Sequence, residues 1–288
     1  MRKNTILLTL AFLIFSISNP VQAASGTQGV DIEITHTFGE AIGVNAALET
    51  DIPIINLQII LEYQDKTIIA AESLEPASDG SIQYTLDLIE HPVRAFSTIS
   101  IRFVIELEDG TSVNTQATDI FYDDNRFDWN HLESGEFNVY WYQDDPDLGQ
   151  KITNIAQEGW ERIRSMVDVP APEDISVYAY ASAVDMQDTL MFSGDSSFWI
   201  AGHAATDLGV IIVSLPPGPE QTLEIKRQIP HELVHILLFR QMDPGYTHLP
   251  RWLSEGMASI AELFPNPDYQ LLLDNAYENQ ALIPIRDL

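Results

Sequence analysis

Cysteine is absent from all 288 residues. That excludes disulfides, thiolate metal ligands, a cysteine nucleophile and a lipid-bearing cysteine at a processed N-terminus. Such a fold holds by packing, helped by a metal where ligands exist. Cations are scarce as well: 14 Lys and Arg stand against 43 Asp and Glu, a formal net charge of −29. A surface this acidic repels nucleic acid and anionic lipid, so neither is expected as a partner. A Gly-x-Ser-x-Gly elbow and a glycine-rich phosphate loop are missing too, and with them the common signals of serine hydrolases and nucleotide enzymes. No internal repeat, heptad array or low-complexity tract stands out.

Apolar residues are plentiful, at 45%, which argues against general disorder. At roughly 150 residues per domain the length suggests two domains. The first residues read as a secretory signal over 1–24. Arg2 and Lys3 precede the apolar run "TILLTLAFLIFSIS", and small residues follow at Val21, Ala23 and Ala24. The apolar run is nearer the length of a signal core than of a membrane span. Cleavage is expected near Ala23-Ala24, which would make the protein secreted or extracytoplasmic, with no span in the mature chain.

Residues 25–123 show short runs of alternating apolar and polar residues, broken by turn pairs such as Asp79-Gly80 and Asp109-Gly110. This pattern predicts an antiparallel β-sandwich, and "LEDGTSV" predicts a hairpin. Residues 124–136 read as a linker whose Phe127 and Trp129 dock on a neighbouring domain. From 137 to 288 the pattern changes. "EFNVYWYQ" is a strand; Ile152, Ile155, Ala156, Trp160, Ile163 and Met166 recur at helical spacing; "ISVYAYAS" and "LGVIIVSL" are further strands. Strand, helix, strand, loop, strand and then two helices describe an α+β domain.

The chemistry sits in "HELVH", His231 to His235. On a helix, two residues four apart lie about 40° apart on one face and about 6 Å apart along the axis. Both imidazoles can reach one ion, with Glu232 beside them and not ligating. His-Glu-x-x-His is the zinc-metalloprotease signature, its Glu acting as general base. A catalytic zinc needs three protein ligands and an open position. Downstream, "PRWLSEGMA" from Pro250 to Ala258 can open a second helix, on which Glu255 supplies a carboxylate. The intervening chain is long enough to bring that helix back antiparallel. Gly256, lacking a side chain, is read as the point of close approach between the two helices. Pro230 either starts the first helix or kinks it.

"HELVH" followed by "WLSEGMA" resembles the gluzincin metallopeptidases, the clan that includes thermolysin. The specific likeness is to the peptidase MA-like domains of bacterial exported proteins. Its motifs cover about residues 231–262, with a weaker likeness back to about 125. The resemblance implies one zinc ion held by His231, His235 and Glu255, Glu232 as catalytic base, and a peptide or protein substrate. It also implies that the strand "GVIIVS" edges the cleft and binds substrate backbone. Many gluzincins place an acidic residue shortly after the third ligand to orient a zinc histidine; here Ser259 lies four positions on and Glu262 seven. His203, Tyr246 and His248 are further candidates to face the site, Gly194 and Gly202 flank a loop that could cover it, and His36, His91 and His131 read as structural.

The expectation is an exported zinc metallopeptidase with an N-terminal sandwich. The sequence after Glu255 offers one short helix, with Leu271, Leu272 and Tyr277 as its apolar face, and then an extended end. A C-terminally incomplete domain is therefore expected, one that binds zinc but cleaves poorly until more chain or a partner completes the cleft. The alternative is a degenerate or incomplete peptidase fold serving as an extracellular metal-binding or interaction module. Oligomeric state and peptide specificity are not legible.

Overall fold

The computed structural model describes residues 28–194 and 201–284. Residues 1–27, which include the segment read as a signal, residues 195–200, which fall in the loop that Gly194 and Gly202 were expected to flank, and residues 285–288 lie outside the described residues.

Eight strands form the N-terminal half: β1 (Gln28–Thr37), β2 (Ala41–Glu49), β3 (Ile54–Tyr63), β4 (Ile68–Ser73), β5 (Ser81–Asp87), β6 (Ser97–Leu107), β7 (Ser112–Asn114) and β8 (Thr118–Tyr122). One sheet runs β1-β2-β5. The other runs β4-β3-β6, with β7 and β8 both pairing to β6. Every pairing is antiparallel. The alternation explains the layering: β2 buries Ile42, Val44, Ala46 and Leu48 and turns the residues between them outward. These meet Leu57, Ile59 and Leu61 from β3 and Ile99, Ile101 and Phe103 from β6 in one core. The predicted hairpin is present between β6 and β7. Gly110, at φ +85°, donates to Leu107 O, and the Leu107 N–H donates to Thr111 O.

The second half contains β9 (Asn130–Ser134), β10 (Phe137–Trp141), α1 (Leu148–Arg164), β11 (Ile175–Tyr180), α2 (Ala183–Phe192), β12 (Gly202–Ala205), β13 (Val210–Ser214), α3 (Gln221–Met242), a 3₁₀ turn (Gly245–His248), α4 (Arg251–Ala261) and α5 (Asp268–Glu278). The sheet order is β12-β13-β11-β10-β9. Strands β10, β11 and β13 are parallel, and the flanking strands β9 and β12 are antiparallel to their neighbours. The fold class is α+β, as the sequence pattern predicts.

Both faces of this sheet are covered, which is why β13 is buried at every position. Ile175, Val177 and Ala179 of β11, with Ile211 and Val213 of β13, pack toward α1, α3 and α4. Tyr178, Tyr180, Val210 and Ile212, the alternate residues, join the core of the sandwich. The sandwich therefore serves as the back layer of the second sheet. Phe96 stacks on Tyr178 across the junction, and Arg94 pairs with Asp207 through both guanidinium arms, at 2.8 and 2.7 Å.

Two readings, the linker and the loop before β12, need correction, and two others gain a location. The stretch taken as a linker contains β9, an edge strand whose "NHLES" is too polar to signal itself; Leu132 alone packs inward. The docking of Phe127 and Trp129 is against the second sheet: Phe127 stacks on Tyr142 at 4.3 Å, and Trp129 meets Tyr178 and Tyr180 edge-on. Helix α2 was read as loop. Its signal is the Ser182 cap, whose hydroxyl accepts from the Asp185 N–H. The predicted apolar face of α5 exists as a helix face but is exposed, with Leu271 at 68% and Tyr277 at 73%.

At the centre of the junction lies Asp124, fully buried. It accepts from Tyr180 Oη and Thr189 Oγ1, each at 2.8 Å, and from two nitrogens of Arg126, also at 2.8 Å. Removing one partner of a buried ion pair strands the other, at a typical cost of about 3–5 kcal/mol. Asp124→Ala is expected to destabilise the protein by about that much, and Asp124→Asn by less because an amide oxygen still accepts. Denaturant midpoints followed by tyrosine and tryptophan fluorescence would measure it; an unchanged midpoint in Asp124→Ala would remove this role.

Candidate metal centre

Helix α3 carries His231, Glu232 and His235, and Pro230 stands inside it. Proline has no N–H, so the carbonyl four residues back loses its helical donor. That carbonyl, Lys226 O, accepts from the Leu263 N–H at 2.9 Å. The proline ring itself lies against α1 at Gly159, where a Cβ would stand 2.6 Å from Pro230 Cβ. Gly159 is therefore the close-approach glycine of this helix layer. The expectation for Gly256 was wrong: a Cβ there would meet nothing within 4 Å, because that face of α4 does not touch α3.

Helix α4 begins directly after Pro250, whose carbonyl accepts from Leu253 and Ser254. It returns beside α3 and presents Glu255. Glu255 Oε2 lies 3.4 Å from His231 Nε2 and 3.8 Å from His235 Nε2. One ligand atom from each of the three residues falls within 4.8 Å of the others. Tetrahedral zinc with bonds of about 2.1 Å requires ligand atoms about 3.4 Å apart. The donor set fits such an ion: the 3.4 Å separation matches that spacing, and the 3.8 Å one exceeds it by a few tenths of an ångström.

The far nitrogens of both imidazoles are also engaged. His231 Nδ1 donates to Glu262 Oε1 at 3.0 Å, and Tyr246 Oη stands 3.4 Å from His235 Nδ1. With Nδ1 holding the proton, the Nε2 lone pair of His231 faces the common point. Glu262 is 1% exposed, and its Oε2 meets no hydrogen-bond partner among the described residues. The orienting acid thus lies seven residues past Glu255. It reaches His231 because α4 ends at Ala261 and the chain turns inward, where Lys226 O holds Leu263 and Arg162 Nε holds Ile260 O at 2.7 Å.

Burial opposes charge on His231, but the hydrogen bond to Glu262 and the nearby Glu232 and Glu255 outweigh it and raise its pKa. His235 goes the other way: burial, then the charge of His231, lower its pKa and favour the neutral ring. Glu232 is pushed up to about 7, chiefly by burial and also by Glu255, with His231 acting in the opposite direction.

The edge of the sheet lies over these groups. A Cβ at Gly202 would stand 2.7 Å from Glu232 Oε1, so only glycine lets β12 pass this close. The strand at the sheet's edge is β12 and not β13, the strand of "GVIIVS", which lies between β12 and β11. The four residues "GHAA", three of them small, are too short a run to show as a strand. A cavity of about 590 Å³ opens between β12 and α3, lined by His231, Glu232, His235, Glu255, Arg227 and Tyr269 among others. His203 and Tyr246 border it, whereas His248 is exposed outside it. His36 bonds to Asp123 and His131 stacks on Tyr140, both away from the cavity; His91 is exposed in a turn.

If Glu262 fixes His231, Glu262→Gln should weaken zinc binding by roughly 10- to 100-fold, the usual cost of losing such a partner. Ser259→Ala, at the position four past Glu255, should leave it unchanged. Competition with a fluorescent chelator measures both; equal affinity for Glu262→Gln and wild type would contradict the assignment.

No curated protein matches this chain. Among solved structures, a fibronectin(III)-like module of Clostridium thermocellum CbhA is 15% identical and covers 33% of this chain and 96% of its own, with a TM-score of 0.23. A polysaccharide deacetylase from Bacillus cereus is 12% identical and covers 60% of this chain and 58% of its own, with a TM-score of 0.25. The family model described as Peptidase MA superfamily matches residues 155–288. Over those residues the chain is similar to the Peptidase MA superfamily, which supports a gluzincin-like domain there.

Proposed function

We propose that this protein is an exported, zinc-dependent metallopeptidase that hydrolyses peptide bonds with His231, His235 and Glu255 as metal ligands and Glu232 as the proton carrier. The observation that carries the reading is the convergence of the three ligand atoms beside a buried glutamate, under β12, the strand at the sheet's edge among the described residues. Export rests on Arg2, Lys3, the apolar run that follows and the small residues at Ala23-Ala24.

Bound zinc would supply Lewis-acid polarisation of the scissile carbonyl and make water a stronger nucleophile at neutral pH. The chain's own residues do the rest. An extended peptide can add to the edge of β12, its backbone pairing with the strand's outward N–H and C=O groups. That fixes the scissile bond over Glu232, because Gly202 lets the strand sit directly above the carboxylate. Glu232 takes a proton from the attacking water and delivers it to the leaving amine.

A second reading is a metal-binding interaction module that turns nothing over. It is favoured by the exposed apolar row of α5, Leu271, Leu272, Leu273 and Tyr277, because such patches mark interaction sites. Substitution of the glutamate separates the two. Glu232→Gln should keep one zinc per chain and lower peptide turnover by roughly 10²- to 10⁴-fold. His235→Ala should lose both metal and turnover. Mass spectrometry of a mixed peptide library, beside metal analysis, reads both; near wild-type turnover in Glu232→Gln would remove the proposed mechanism.

A further inference from the structure

The direction of α3 under β12 sets which end of a bound peptide meets which side chains. The start of β12 lies at the N-terminal half of α3: Ala201 O accepts from the Ser214 N–H, and Ser214 O lies 3.5 Å from Gln228 Nε2. Gly202 then covers Glu232. Past the end of the strand, a Cβ on Gly209 would stand 2.7 Å from an Arg240 nitrogen, in the last turns of α3. Strand and helix therefore run in the same sense. A peptide pairing antiparallel to β12 runs the opposite way, antiparallel pairing being the slightly stronger kind. Its C-terminal half then lies over the first half of α3, and its N-terminal half over the stretch toward Arg240.

What waits at the C-terminal end is a cation. Arg227 precedes His231 by four residues, one helical turn or about 6 Å. That is about two residues of extended chain past the scissile bond. It lines the cavity together with Gln228 and Tyr269. Its Nη1 donates to Glu224 Oε1 at 2.8 Å, which orients the guanidinium. Its Nε is buried and meets no hydrogen-bond partner among the described residues, and the same holds for Oε1 of Gln228, a residue only 6% exposed. A guanidinium has five N–H donors in a fixed fork that matches a carboxylate. The placement runs against composition, since acids outnumber cations 43 to 14.

We propose that Arg227, steadied by Glu224, recognises a carboxylate on the C-terminal side of the scissile bond. The substrates are then peptides with an acidic residue or the chain's own terminus at that place. This rests on the metallopeptidase reading for the position of the bond, and it adds the substrate class.

Binding tests it apart from turnover. Zinc-loaded Glu232→Gln protein would be titrated with two matched sets of labelled peptides, followed by fluorescence anisotropy. One set is internal, with Glu or Gln at each position along the peptide. The other ends in a free acid or an amide. The carboxylate member of at least one set should bind roughly 10- to 100-fold tighter, the scale of a hydrogen bond to a charged group. Preference in the internal set points to an acidic side chain, and preference in the terminal set points to a chain end. Adding Arg227→Gln should bring the ratio to within about twofold with zinc content retained, and Arg227→Lys should keep part of it. Equal binding within both sets, no binding of any peptide, or a ratio that survives Arg227→Gln would overturn the proposal. If the preference stands but wild-type protein cleaves no peptide, the peptidase reading fails and the recognition site remains.

Discussion

The arrangement at the metal centre depends on a missing hydrogen-bond donor. Pro230 stands directly before the first histidine, and its ring nitrogen cannot close the helix onto Lys226 O. A buried carbonyl without a donor is costly, and here the Leu263 N–H fills the vacancy from outside the helix. That bond holds the chain after α4 against α3. Glu262, one residue earlier, is thereby placed on His231 Nδ1. The same proline packs on Gly159, so α1 is drawn against the other side of α3. A residue that weakens the helix locally thus fixes the three-helix layer under the site.

The sandwich contributes to the site from behind. Strand alternation gives β11 and β13 one set of apolar residues for the helices and another for the sandwich core. With both faces packed, the sheet is a rigid platform, and β12, its edge strand among the described residues, stays in register over Glu232. The junction is specified by polar groups as well as by packing. Asp124, Tyr180 and Thr189 are buried and, with the partly exposed Arg126, satisfy one another, a network that tolerates few alternative dockings.

Legibility followed the range over which each feature is determined. His231, Glu232 and His235 could be read from one helical turn, and Glu255 from the need of such a pair for a third ligand. The sandwich could be read because period-two alternation is a local signal. Glu262 could not be chosen over Ser259, because its position depends on where α4 ends and on a carbonyl freed elsewhere in the chain. Strand β12 escaped because "GHAA" is short and opens on a glycine, and that same glycine lets it approach Glu232. Gly256 misled for the converse reason: a glycine in a motif need not face its neighbour. Arg227 carried no signal at all until the relative direction of β12 and α3 gave it one.

The account turns on three protein ligands meeting at one ion. X-ray absorption at the zinc K-edge of the purified protein, with metal stoichiometry on the same sample, tests this most directly. One zinc per chain is predicted, with low-Z scatterers at about 2.0–2.2 Å and the outer-shell signature of two imidazoles. Absence of zinc, or a zinc shell lacking histidine scattering, would contradict it.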